Sequence, residues 1–148
     1  MTIDHIEYTF TEGMSERDVD RMLKSTETGV LALSRGGEAY AIPVAFHYDG
    51  ERIIIRLGRH QGSEKMAFIE TTTQACLTCY DYDPPDDSWS IIARGSLREL
   101  TGAERATYDD ATVNEAFIPI RIFGEATEEL EPALFELEIR ELTGRRTG

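Results

Sequence analysis

Lysine is nearly missing from this chain: of its 15 basic residues, only Lys24 and Lys65 are lysines. Positive charge as a whole is scarce, with 28 acidic residues and a formal net charge of −13. A field of that sign disfavours nucleic acid and anionic membranes as partners. Cysteine is limited to Cys76 and Cys79, too few for a disulfide framework. No apolar run is long enough to span a bilayer. The opening MTIDHIEYTFTEGM lacks the apolar block of a signal peptide. These absences predict a cytoplasmic protein. GxSxG, HExxH, Walker and GxGxxG motifs are also missing.

What is present fits one globular domain over residues 1–148, with 1–14 as an N-terminal extension. The acids are spread over the whole chain, and arginine replaces lysine almost throughout. This resembles the composition of proteins from salt-loving organisms, in which salt screens the self-repulsion. Halophilic adaptation is the leading expectation, with ordinary acidic solubility as the alternative reading.

SERDVDRMLKST (15–26) carries a capping serine and apolar residues at helical spacing. TGVLALS (28–34), AYAIPVAFHYD (39–49) and RIIIRLG (52–58) follow, separated by glycine turns, and read as an antiparallel meander. Pro43 inside the second run cannot donate to a ladder, so it marks an edge, a bulge or a non-strand neighbour. SEKMAFIETT (63–72) reads as a short helix, QACLTCYDY (74–82) and SWSIIARGSLREL (88–100) as strands, and TGAERATYDDATVNEAF (101–117) as helix with Thr101 as its cap. LFELEIREL (134–142) alternates as a strand with one apolar face. Six strands joined by short turns, with helices outside, predict a mainly β fold, a small antiparallel barrel.

Two motifs invite chemistry. Cys76-x-x-Cys79 has redox or zinc spacing, but three residues along a strand point to opposite faces, and no second pair completes a metal site. RLGRHQGSEK (56–65) concentrates Arg56, Arg59, His60 and Lys65 around Gly58, Gly62 and Ser63. It lies between a strand end and a helix cap, a setting that suits an anion such as phosphate. A solvated turn whose cations pair with carboxylates is the other open reading. Trp89, the lone tryptophan, belongs to a core or interface, or covers a flat ligand. His47, in a strand beside Tyr48, reads as a half-buried structural histidine.

Taken in order, Gly29-Val30-Leu31-Ala32, the Gly36-Gly37 turn, Pro43-Val44-Ala45-Phe46, the Arg52–Gly58 strand, GSEKMAFIETTTQACLTCY, WSIIARGSLREL and LFELEIRELTGRR resemble the FMN-binding split-barrel proteins of the pyridoxamine 5′-phosphate oxidase-like superfamily over residues 15–146. The resemblance implies a six-stranded antiparallel split β-barrel that forms a homodimer, with flavin in clefts between the subunits. It places the FMN phosphate near Arg56, Arg59, Ser63 and Lys65. The ring would lie along Ile42, Pro43 and Val44, with backbone contacts from Leu57 and Gly58. Trp89 and Ser90 would come in beside it, from the partner subunit in one arrangement. The implied function is that of a small FMN-dependent oxidoreductase with no assigned catalytic residue and no metal. A non-catalytic flavin-binding or sensing dimer is the alternative, as is a barrel using deazaflavin or haem.

Overall fold

The computed structural model describes residues 10–59, 63–84, 87–118 and 131–148. The elements run β1 (Thr11–Gly13), α1 (Glu16–Lys24), β2 (Thr28–Arg35), β3 (Glu38–Tyr48), β4 (Ile53–Arg59), α2 (Glu64–Thr71), β5 (Ala75–Asp83), β6 (Asp87–Glu99), α3 (Gly102–Ala106), α4 (Asp110–Ala116) and β7 (Glu131–Thr147). Ser15 begins α1 by accepting the Asp18 N–H at 3.1 Å, and Val19 and Leu23 turn its apolar stripe into the core.

All strand pairings are antiparallel, and six strands close into a ring in the order β7–β4–β3–β2–β5–β6, with β6 returning to β7. This is the expected six-stranded split barrel. β1, inside the segment expected as an extension, adds a short seventh strand against the end of β7. The β6–β7 seam carries a bulge: Arg94 faces Glu141 while Gly95 faces Ile139, leaving Arg140 as the extra residue. Gly95 is obligatory there, because a Cβ would sit 1.9 Å from the Glu138 carbonyl oxygen.

Two apolar clusters hold the barrel. The inner one includes Leu31, Phe46, Ile53, Ile55, Leu77, Ile91 and Leu137. The outer one sets Ala45, Ile54, Leu100 and Leu134 under Val113 and Phe117. Strands β4 and β7 are thus buried on both faces where α4 covers them, which explains the unbroken run Ile53-Ile54-Ile55. Expecting one apolar face on β7 is too simple, since Leu134 and Phe135 point to opposite sides and both are buried.

Residues 101–117 form two helices, not one. The Thr101 side chain makes no capping bond. Asp109 instead caps a new helix by accepting the Thr112 N–H at 2.8 Å, a local bond that competes with helix continuation. Cys76 and Cys79 lie on opposite faces as expected, and burial pushes the Cys79 thiol up to about 12. His47 is half-buried and meets Phe117 edge-on.

Candidate functional site

Strands β3 and β4 pair only from Ala45–Arg56 to Tyr48–Ile53. Beyond that point they diverge. The first half of β3 continues beside β2 alone, with Val44 opposite Gly29, Pro43 opposite Val30 and Ile42 opposite Leu31. The last residues of β4 continue beside β7 alone, with Leu57 opposite Ala133 and Gly58 opposite Pro132. Six of the expected site residues therefore flank one split: Ile42, Pro43 and Val44 on one lip, and Leu57, Gly58 and Arg59 on the other. Pro43 fits because it has no N–H to offer a strand that is not there. Elsewhere on the lips, backbone groups are left for water or a ligand to satisfy. Val44 and Leu57 close the inner side by packing into the core.

At the strand end, Ser63 caps α2, its hydroxyl accepting the Met66 N–H at 3.2 Å, and half-buried Lys65 lies in the first turn. The cap was legible in the sequence. His60 and Gly62 lie outside the described residues. The placement of α2 is fixed by Phe68, which stacks on Tyr40 at 5.0 Å beneath the Arg35 guanidinium. Thr72 adds a donated bond to the Ser34 carbonyl. The first-turn N–H groups of α2, Lys65 and Arg59 bring positive charge to this segment, set against the carboxylates of Glu64 and Glu99. Arg59 forms an ion pair with Glu99 at 2.5 Å; both are about one-third exposed, so the pair is worth no more than about 1 kcal/mol.

Arg56 departs from the group. Strand alternation sends it to the outer face with Ile54, where its guanidinium donates to the Ile118 carbonyl at 3.3 Å. Its buried Nε finds no acceptor among the described residues, and burial pulls its pKa down. The expectation that Arg56 joins Arg59 around one phosphate thus meets a two-residue periodicity that points them apart.

Trp89 and Ser90 lie on β6, opposite Asp81 and Tyr80 of β5 and Arg146 and Arg145 of β7. Trp89 packs against the inner core, whereas Ser90 has the opposite strand parity. Strand β7 separates β6 from β4, and two strands separate it from β3, so one chain does not bring this pair to the split. Among the described residues, no group of His, Cys, Asp and Glu could hold a metal ion. No helix among them is long and apolar enough to cross a membrane.

One feature gave no signal in the sequence. A cavity of about 530 Å³ opens beside the ends of β4 and β6, the start of β7 and α3. Arg59, Glu99, Thr101, Arg105, Ala106 and Tyr108 contribute to its wall. They come from separate segments, and only closure of the ring assembles them.

The fold is shared with solved structures. The FAD-binding protein of Mesorhizobium loti superposes with a TM-score of 0.73 at 14% identity, covering 93% of this chain and 99% of that one. The FAD binding protein of Mycobacterium smegmatis gives 0.65 at 19% identity, covering 91% and 97%. The FAD and heme binding protein of the same organism gives 0.67 at 19%, covering 93% and 73%. No curated protein sequence matches this chain. The protein-family model for pyridoxamine 5′-phosphate oxidase matches residues 15–146, nearly the whole chain, and the chain therefore belongs to the pyridoxamine 5′-phosphate oxidase family.

Proposed function

We propose that this protein binds FMN and acts as a small flavin-dependent oxidoreductase. The observation that carries the reading is the split between β3 and β4, whose β4 lip ends at Arg59, four residues before the Ser63 cap of α2 and six before Lys65. A flat ring along Ile42–Val44 and Leu57–Gly58 would cover the unpaired lips. Ser63, Lys65 and Arg59 would meet the phosphate through charge-assisted hydrogen bonds. Flavin binding is in keeping with the names of the three structural relatives, all FAD-binding proteins, one of which binds heme as well. When bound, the flavin supplies the hydride or electron chemistry, and the protein holds, orients and shields it.

The working unit in this reading is a homodimer. Val30, Tyr80 and Tyr82 are large apolar side chains left exposed, Tyr80 at 70%. They share the outer face of β2 and β5, which a second copy would cover. Trp89 and Ser90 would then reach the split of the partner. Haem is less well supported, because His47, the one histidine among the described residues, packs against Phe117.

Titration with FMN and riboflavin in molar salt tests the site. Lys65→Ala combined with Arg59→Ala should weaken FMN binding about a hundredfold while barely changing riboflavin, which lacks the phosphate. Equal losses would make the stretch merely structural, and a flat FMN titration of the unaltered protein would sink the reading. Turnover of a reduced nicotinamide by the FMN-loaded dimer separates an enzyme from a carrier.

A further inference from the structure

We infer that Arg56 recognises a substrate carboxylate, so that the small molecule taken at the split is an organic acid. The inference rests on the flavin-dependent reading above and deepens it by naming the class of substrate. It starts from the one buried side-chain polar atom among the described residues that has no partner, Nε of Arg56.

Strand pairing gives this side chain its place. Ala45 and Arg56 form the last pair of the β3–β4 ladder, so Arg56 stands at the closed end of the split. Directly opposed residues share a face, and Ala45, Arg56 and Leu134 therefore form one row across β3, β4 and β7 on the outer side. Ala45 and Leu134 lie in the outer apolar cluster with Val113 and Phe117. Exposed Pro43, two residues from Ala45, faces the same side on the lip. Arg56 is the charged member of an apolar row, beside the point where the strands part.

No carboxylate among the described residues answers that charge. Arg59, Arg94 and Arg98 of the same barrel each meet one. The acid of the next outer row, Glu136 opposite Ile54, is held by Arg52 and Arg98 at 3.0 and 2.6 Å. His47, also opposite Ile54, packs edge-on against Phe117. Half-burying a cation without a counter-ion is unfavourable, and an apolar side chain would fill the row at less cost. A ligand that brings the anion removes the penalty.

The free edge of the guanidinium selects the anion. Nη1 donates to the Ile118 carbonyl at 3.3 Å, which fixes the plane of the group. Nε and Nη2 remain, the edge whose two N–H groups run parallel and match a planar carboxylate with two hydrogen bonds. One guanidinium balances the single charge of a carboxylate. A phosphate dianion would meet apolar walls on its other sides, and the cations suited to it, Arg59 and Lys65, lie further along the chain.

The test is titration of the FMN-loaded protein with acetate and benzoate, and with acetamide and benzamide as neutral counterparts. Flavin absorbance and melting temperature report binding. At least one acid should bind, about tenfold or more tightly than its amide. Arg56→Met removes the fork and should abolish that preference. Its melting temperature should hold or rise, because an unpaired buried charge is lost. Arg56→Lys keeps the charge without the fork and should weaken the acid about tenfold; it decides the matter if the methionine variant does not fold. Equal binding of acids and amides by the unaltered protein overturns the inference and leaves the flavin reading standing. So does a preference that survives in Arg56→Met, or undiminished acid binding by Arg56→Lys. Loss of FMN with riboflavin spared in either variant would make Arg56 a phosphate ligand and overturns it too. Failure of the unaltered protein to take up FMN overturns the flavin reading itself, and this inference with it.

Discussion

The two halves of the β3–β4 pair make opposite use of the same strands. From Ala45 to Tyr48 and Ile53 to Arg56 the ladder is complete, and the strands are buried on both faces. The turn that joins them is equally well satisfied. Asp49 accepts the Glu51 and Arg52 N–H groups at 2.9 and 2.7 Å, and Gly50 takes the left-handed conformation at φ 103°. The Tyr48 hydroxyl donates to Asp20 at 2.8 Å, and burial followed by that acceptor pushes it up to about 12. From Ile42 to Val44 and Leu57 to Arg59 the strands share no register, and proline and charge replace the aliphatic run. The sealed half supplies stability and sets the angle at which the open half diverges. Local order is not uniform along a strand, and sites are drawn from its weaker end.

The contrast can be broken most severely at the seam that closes the ring. Gly95→Ala should cost about 3 kcal/mol or more, or prevent folding, because the new Cβ meets the Glu138 backbone and not a side chain that can turn away. Chemical denaturation of the variant measures this. A variant as stable as the original would show that the bulged β6–β7 seam is not closed as described.

The next effect compares the halves directly. Ile54→Ala, in the sealed half and 1% exposed, should cost about 2–5 kcal/mol. Pro43→Ala, in the open half and exposed, should stay within about 1 kcal/mol, chiefly through the unfolded chain. Similar losses at the two positions would erase the distinction between the halves.

The smallest effect concerns the start of α4, which covers the sealed half. Hydrogen bonds from the Thr112 backbone, then its side chain, hold the Asp109 carboxyl below its ordinary value. A depressed folded-state pKa gives stability that is complete above the unfolded value, about 4, and lost as pH falls through the folded one. Asp109→Asn keeps a capping side chain but does not titrate. The original should be the more stable at pH 7, and its advantage should fade as pH drops below about 4. Urea midpoints across that range test it, and a constant difference would remove the charge from the account.

Much of the site's frame was legible in the sequence because local rules govern it. Ser15 and Ser63 cap their helices, and the strands begin and end within a few residues of the apolar runs. The proline in AYAIPVAF marked the place where a neighbouring strand is missing. Less legible was which cations gather. Arg56 and Arg59 are three apart on a strand, so alternation opposes them, yet the written sequence shows them as one basic cluster. The outer core was hidden too, because nothing in LFELEIREL shows that α4 will cover its second face at Leu134.

By itself, then, the sequence determined the helix caps, the strand periods, the interruption at Pro43 and the order of elements that mark the family. These depend on bonds and torsions spanning a few residues. Only the tertiary structure decided that β3 and β4 part at Ala45, that Arg59 faces Glu99, and that Arg105 and Tyr108 share a cavity with both. Those arrangements depend on ring closure, which brings together residues from distant segments that no local rule connects.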